Sequence, residues 1–452
     1  MMIKQWEDEN LSHFSYAVLS ESEKKMVLID PTRNPQQYID YAKKMDAEII
    51  GIIETHPHAD FVSSHLELHQ LTSATIYTSK LVNALYPHTS FDDGDSIEIS
   101  SIKLSAINTP GHSPDSISIV LEHEGKQKAV FTGDTLFIGD CGRPDLREGA
   151  GNIKATREEL AKEMYHSLRE KLATLNNEVL VYPAHGAGTL CGKALSKAHS
   201  STIGAEKLSN WSLQQMSEEE FVINLLTDQP FVPAYFSFDV ELNRKGANAF
   251  TESISKVPIT NKIKDVNGAV HLQKELWIVD AREEKEFKKQ HLSHSVNLME
   301  GTKFETWLGT IIKPEEKFYL AAESEKQLQN LIERSATIGY ESNIEEAFVI
   351  DYGTESMSKL IVDEFKNHTS NYTIVDVRNP TEVREKKIFE NSLSIPLAEV
   401  RKRVAEIPTT KPIVVHCAGG YRSAAASSLI SSKLNGRTVV YDLGEEIKEF
   451  VD

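Results

Sequence analysis

The chain has 452 residues, too many for one ordinary core, so roughly two to four domains are expected. Apolar residues make up 40% and charged residues 26%, the balance of a soluble globular protein. A formal net charge of −18 argues against nucleic acid or an anionic membrane as a partner. No apolar run approaches bilayer-spanning length, and Met1-Met2-Ile3-Lys4-Gln5-Trp6 lacks the apolar core of a signal peptide. Three cysteines give no disulfide framework, which fits a reducing cytoplasm and leaves each thiol free for chemistry.

Residues 14–30 alternate as two strands around the polar stretch from Glu21 to Lys25, and residues 36–45 read as an amphipathic helix. The apolar run 47–53 reads as a buried strand, and it delivers Glu54-Thr55-His56-Pro57-His58-Ala59-Asp60-Phe61. Two imidazoles and a carboxylate at alternating positions in a turn after a strand converge on one point. Together they suit Zn or Fe; the ordinary alternative is a polar turn that happens to be histidine-rich. Residues 66–72 read as a helix and 74–78 as a strand. Three more strand-like runs then end on a His or an Asp. Residues 104–108 lead to Thr109-Pro110-Gly111-His112, residues 128–131 to Thr132-Gly133-Asp134, and residues 179–182 to Pro183-Ala184-His185-Gly186. The adjacent glycines let backbone approach a shared centre closely. Residues 116–122 form a further strand, and 156–174 a long helix.

Beyond residue 190 the pattern changes. Residues 193–209 and 217–226 read as helices, Pro230 to Pro233 as a breaker, and something new begins near residue 266. An internal repeat follows. Leu276-Trp277-Ile278-Val279-Asp280-Ala281-Arg282 matches Tyr372-Thr373-Ile374-Val375-Asp376-Val377-Arg378. Each is followed by a charged helix, a short apolar run and one more buried strand, 317–322 in the first copy and 412–416 in the second. The second copy then runs through Cys417-Ala418-Gly419-Gly420-Tyr421-Arg422-Ser423 into a helix of small residues. Glycines let such a loop curl so that backbone N–H groups point at one sulfur, and a helix N-terminus adds its positive end. Both favour thiolate over thiol. Arg422 adds a fixed cation or holds the loop. A buried inert cysteine and a cysteine-phosphatase loop are the alternatives. In the first copy Glu323-Ser324-Glu325 stands where the nucleophile would be, with no cysteine nearby.

The four strand-end stretches, in this order, resemble the metallo-β-lactamase superfamily over the first half of the chain. The repeat with its Asp-x-Arg frame and cysteine loop resembles two rhodanese domains, in which Cys417 would carry an anionic persulfide sulfur. The resemblance implies an α/β multidomain chain. A metallo-β-lactamase αβ/βα sandwich over 1–240 has its metal site on loops at one edge. A silent rhodanese-like domain over 259–355 and an active rhodanese domain over 358–452 follow.

The superfamily's two-metal hydrolases carry His-x-His-x-Asp-His, and here the last position is Phe61, which cannot ligate. That argues against a hydrolase of glyoxalase II type, the competing activity, and leaves His56, His112 and Asp134 as one ligand set. Two histidines and a carboxylate with open positions suit mononuclear non-haem Fe(II) and O₂. The stretches 133–146 and 184–193 look very like those of the persulfide dioxygenases, and the whole chain resembles a multidomain form of that family. The resemblance, and not the ligand types, selects Fe(II). It implies oxidation of a low-molecular-weight thiol persulfide by O₂ to sulfite, with the rhodanese giving thiosulfate; a cytoplasmic homo-oligomer is expected. His58, Asp60 and His185 are then expected to orient the ligands, and Arg143, Lys193 and Cys191 are candidates to hold the thiol carrier. A non-catalytic sulfane-sulfur carrier is a third possibility.

Overall fold

The alternation read over residues 14–30 is that of strands buried on both faces. In the computed structural model, which describes residues 1–147, 155–193 and 195–451, β1 (Met2–Asp8), β2 (His13–Ser20) and β3 (Lys25–Ile29) form an antiparallel meander. Parallel strands β4 (Glu48–Ile53), β5 (Thr75–Thr78) and β6 (Thr89–Ser90) extend it to six strands in chain order. A second six-stranded sheet consists of β7 (Ser96–Ile99), β8 (Ile102–Asn108), β9 (Ile117–His123), β10 (Lys126–Gly133), β11 (Leu180–Pro183) and β12 (Ser201–Thr202). In that sheet only β10 and β11 run parallel.

Period-two side chains decide the layering. Phe14, Tyr16 and Val18 of β2 meet Leu104, Ile119 and Phe131 of the second sheet in a core between the sheets. The intervening Ala17 and Leu19 face Tyr38, Ala42 and Leu68 of the helices Gln36–Met45 and His65–Thr72. On the far side Val120, Val130 and Val181 face Ala161, Met164, Phe221 and Leu225. The result is an αβ/βα sandwich. The helix expected over 156–174 begins at a Thr156–Glu159 capping box and continues as Arg157–His166, one wide turn Ser167–Lys171 and a tight turn Leu172–Thr174. The helix expected over 193–209 is confined to Ile203–Ser209, because Thr202 caps it by accepting from Ala205 N at 3.1 Å; residue 194 lies outside the described residues.

The first compact unit spans Met1–Ser253 with Ala336–Gly339, so the boundary expected at 240 falls inside the helix Phe236–Lys245. That helix belongs to the first unit for a physical reason. Asn243 Nδ2 donates to His58 O at 2.8 Å and Phe61 O at 2.7 Å, holding the histidine-rich turn from behind.

The second unit, Ile254–Ser335 with Tyr340–Asp452, holds the repeat. β13 (Trp277–Asp280), β14 (Ser295–Asn297), β15 (Phe318–Ala322) and β16 (Ile344–Val349) form a parallel sheet of order β14-β13-β15-β16. β17 (Thr373–Asp376), β18 (Leu393–Ser394), β19 (Ile413–His416) and β20 (Val440–Asp442) repeat that order as β18-β17-β19-β20. The Asp-x-Arg frame does the same work twice. Arg282 Nη2 reaches Asp280 Oδ2 at 2.6 Å and Gln290 O at 2.9 Å, and Arg378 Nη2 reaches Asp376 Oδ2 at 2.6 Å and Lys386 O at 2.9 Å. Each Arg ties its strand end to the helix that follows. Among the described residues no helix is long and apolar enough to cross a membrane.

Candidate metal centre and cysteine loop

The turn after β4 is buried along its whole length from Glu54 to Phe61. Asp30, at the end of β3, anchors it by accepting from Thr55 N at 2.7 Å and Thr55 Oγ1 at 2.8 Å. With its hydrogen given to Asp30, Thr55 Oγ1 accepts from His56 Nδ1 at 3.0 Å. His112 Nδ1 donates to the Arg143 carbonyl at 2.8 Å. Both contacts fix the tautomer that leaves Nε2 with a lone pair.

Those two Nε2 atoms face one oxygen. Asp134 Oδ2 lies 3.8 Å from His56 Nε2 and 3.5 Å from His112 Nε2. It is buried and has no hydrogen-bond partner. The three ligand atoms lie within 4.8 Å of one another. An orphaned carboxylate oxygen between two imidazole lone pairs is an electrostatic arrangement that a cation satisfies, and the N₂O donor set fits iron or zinc.

Electrostatics prepare the same state. Burial, followed by the neighbouring His58, pushes His56 well below the usual imidazole range, and burial lowers His112, so both are neutral. Burial works to raise the Asp134 carboxyl, but His185, His112 and His56 outweigh it and hold it well below the usual carboxylate range. His185 accounts for the second Asp134 oxygen. Its Nδ1 donates to Asp134 Oδ1 at 2.7 Å and its Nε2 lies 2.9 Å from Asp60 Oδ2. Burial opposes the charge on His185, yet the two carboxylates prevail and raise it well above the ordinary value. Gly133 lets Asp134 take this place: at φ +52°, a Cβ there would stand 2.6 Å from Thr55 Oγ1.

His58 does not join the three. Its Nε2 lies 3.2 Å from Asp30 Oδ1 and 3.9 Å from Glu54 Oε2, in a separate buried group. Its ring packs on His56 and Phe61, with centroids 4.3 and 4.4 Å away. Phe61 also packs on His13, 4.1 Å between centroids. Sequence reading missed His13, which is fully buried at the start of β2 beside His185; its position one residue before a strand-like run was the only signal.

Two expected carrier-binding residues are otherwise engaged. Arg143 is buried; its Nε and Nη2 grip Asp145 at 2.7 and 2.6 Å, Nη1 reaches Leu190 O, and Nη2 also reaches Pro230 O. All three guanidinium nitrogens therefore pin loops. Lys193 Nζ donates to Asn224 O at 2.6 Å and Thr227 O at 2.8 Å, closing the end of the helix Glu218–Leu226. Cys191 does face inward. Its sulfur forms a buried group with Asp60 and His185, and burial together with the Asp60 and Asp134 charges pushes the thiol up.

In the second unit Cys417 directly follows β19 and is buried. Its Sγ accepts from Gly420 N at 3.1 Å and Gly419 N at 3.5 Å, where the helix Tyr421–Leu434 begins. Arg422 holds the loop: it forms a two-pronged pair with Glu382 at 2.6 and 2.8 Å. Burial lowers the adjacent His416 to about 4, so it is a neutral neighbour. At the matching point of the first copy, Ser324 Oγ accepts from Gln327 N at 3.2 Å as the start of the helix Glu325–Thr337. An ordinary helix cap replaces the sulfur cradle.

Residues 11–185 match the model of the metallo-beta-lactamase superfamily, and residues 362–452 that of the rhodanese-like domain. The chain is an enzyme with a metallo-β-lactamase αβ/βα fold followed by a rhodanese-like domain. Among curated relatives, the mitochondrial persulfide dioxygenase ETHE1 of Bos taurus is 28% identical over 49% of this chain and 79% of its own length. The cytoplasmic hydroxyacylglutathione hydrolase of Arabidopsis thaliana is 32% identical over 38% of this chain and 63% of its own length. A crystal structure of a metallo-beta-lactamase from Staphylococcus aureus subsp. aureus COL superposes with a TM-score of 0.68 at 28% identity, covering 77% of this chain and 98% of that one.

Proposed function

We propose that the first unit oxidises a low-molecular-weight thiol persulfide with O₂, and that Cys417 transfers sulfane sulfur to the sulfite formed, giving thiosulfate. The reading takes His56, His112 and Asp134 as ligands of one non-haem Fe(II). The observation that carries it is the unpartnered Asp134 Oδ2 between two Nε2 lone pairs. Support comes also from the dioxygenase relative and from a sulfur-carrying cysteine loop on the same chain. When bound, Fe(II) would bring persulfide sulfur and O₂ together and exchange electrons with both.

The first reaction balances as R–S–S⁻ + O₂ + H₂O → R–SH + SO₃²⁻ + H⁺, with sulfur oxidised and O₂ reduced. His185, charged between Asp134 and Asp60, fixes the ligand carboxylate and presents a proton-bearing nitrogen at the centre. The thiol of Cys191, neutral in its buried group, adds a polarisable wall. The second reaction is Cys–S–S⁻ + SO₃²⁻ → Cys–S⁻ + S₂O₃²⁻. The Gly419 and Gly420 N–H groups hold the cysteine sulfur through it. We assign the first repeat no sulfur chemistry, because Ser324 and Glu323 occupy the loop position.

A thiolester hydrolase of glyoxalase II type is the second reading. It draws on the hydroxyacylglutathione hydrolase relative and on the grouping of Asp60, His185 and Cys191, where a second metal would bind. Anaerobic purification, metal analysis and O₂ uptake on a panel of thiol persulfides separate the two. One iron per chain with O₂ uptake, both lost in His112→Ala, is expected. Two metals, with thiolester cleavage and no O₂ uptake, would refute the dioxygenase.

A further inference from the structure

The two repeats of the second unit meet at the cysteine loop. Asn297 N, at the end of β14, donates to Ser428 Oγ at 2.9 Å on the helix Tyr421–Leu434. Tyr421, the first residue of that helix, donates its hydroxyl to Met299 O at 2.9 Å. Its ring lies so close to Gly301 that a Cβ there would stand 2.9 Å away.

Charged side chains also cross between the repeats, and one of them reaches the wall of this loop. Lys288, on the helix Glu284–Lys289 of the first repeat, places Nζ 2.8 Å from Asp442 Oδ2 and 3.0 Å from Glu284 Oε2. The Asp442 side chain, at the end of β20, is fully buried, and its Oδ1 accepts from Gly444 N at 2.9 Å. The segment from Asp442 to Glu445 backs the sulfur cradle: a Cβ on Gly420 would lie 3.3 Å from Glu445 N and 3.4 Å from Gly444 C. Ser423 ties the same wall to the loop. Its hydroxyl interacts with the Asp442 carboxylate and donates to Gly420 O at 3.0 Å.

We propose that Lys288 is a positioning residue for the Cys417 site, supplied by the repeat that has no sulfur nucleophile of its own. It neutralises Asp442 and so fixes the wall that aims Gly420 N–H at the sulfur. A buried carboxylate robbed of its cation is strongly disfavoured, and burial alone already pushes the Asp442 carboxyl up. Without Lys288 the wall either opens to hydrate Asp442 or leaves a negative charge behind an anionic persulfide. Both outcomes degrade the cradle. The silent repeat thereby braces the cysteine loop of the other repeat.

The inference rests on Cys417 as a sulfur carrier, and two readouts keep the claims apart. In the full-length chain, transfer from thiosulfate to cyanide tests the reaction, and the rate of Cys417 alkylation by iodoacetamide tests the cradle. Lys288→Met should lower kcat for transfer by about tenfold or more and change the alkylation rate, leaving KM for cyanide within about twofold. Lys288→Arg should restore both readouts to within about threefold, since it can still pair with Asp442. Adding Asp442→Asn to Lys288→Met should recover part of the loss, because the orphaned charge goes with it. O₂ uptake should be the same in all variants. Transfer and alkylation in Lys288→Met within about twofold of the parent would overturn the brace, as would equal losses in Lys288→Arg and Lys288→Met. A parent with no transfer at all would overturn the carrier role, while the alkylation series still decides the brace.

Discussion

Gly133→Ala tests the metal centre through a residue that binds nothing. Its Cβ would stand 2.6 Å from Thr55 Oγ1 and 2.9 Å from Thr55 Cβ. A carbon–oxygen contact relaxes at about 3.3 Å, so Thr55 must retreat by roughly 0.7 Å. That stretches its bonds to Asp30 (2.8 Å) and His56 (3.0 Å) to the edge of hydrogen bonding. Losing buried bonds of this kind costs about 1–3 kcal/mol, and an alanine at φ +52° adds about 1 kcal/mol. His56 also loses the contact that fixes its tautomer, for which about 10–100-fold in metal affinity is expected. Chelator competition measures that affinity, and thermal melting measures stability. Gly125→Ala is the control, because φ is +71° but nothing lies within 4 Å of its Cβ. It should lose about 1 kcal/mol of stability and no metal affinity. Thr55→Ala should weaken metal binding similarly, and the double variant Gly133→Ala/Thr55→Ala should be less than additive. Metal affinity in Gly133→Ala within about threefold of the parent, or simple additivity, would refute the reasoning.

Two further outcomes follow from the cysteine loop and the matching loop of the first repeat. Cys417→Ser replaces a polarisable sulfur by a hydroxyl that cannot carry sulfane sulfur, so the product should shift from thiosulfate to sulfite at equal O₂ consumed; an unchanged thiosulfate yield, after subtracting an enzyme-free control, would remove Cys417 from this role. Glu323→Ala should leave O₂ uptake and sulfur transfer within about threefold of the parent, because at this loop Glu323 engages only its backbone N–H, donated to Gln327 Oε1, while Ser324 Oγ caps the helix; sulfane sulfur found by mass spectrometry on any residue from 259 to 351 would contradict the assignment.

Both sandwich sheets were legible because residues that alternate along a strand must bury one set against each neighbour. The convergence of His56, His112 and Asp134 was legible for a related reason. Each sits at the C-terminal end of a strand-like run or in the turn just past it, so local spacing alone fixes where its backbone emerges. The Asp-x-Arg frame announced the repeat because its bonds close within ten residues of sequence. What sequence could not settle were the partners of long side chains. Arg143 ends on the carbonyls of Leu190 and Pro230, and Lys193 on those of Asn224 and Thr227. A carbonyl has no residue signature, so both cations read as free for a ligand until the fold engaged them. The tie from the helix Phe236–Lys245 to the histidine-rich turn was equally hidden, since the bond from Asn243 to His58 joins residues 185 apart. Lys288 is the extreme case. In sequence it is one charge in a charged helix, and only the packing of one repeat on the other puts a buried carboxylate beneath it.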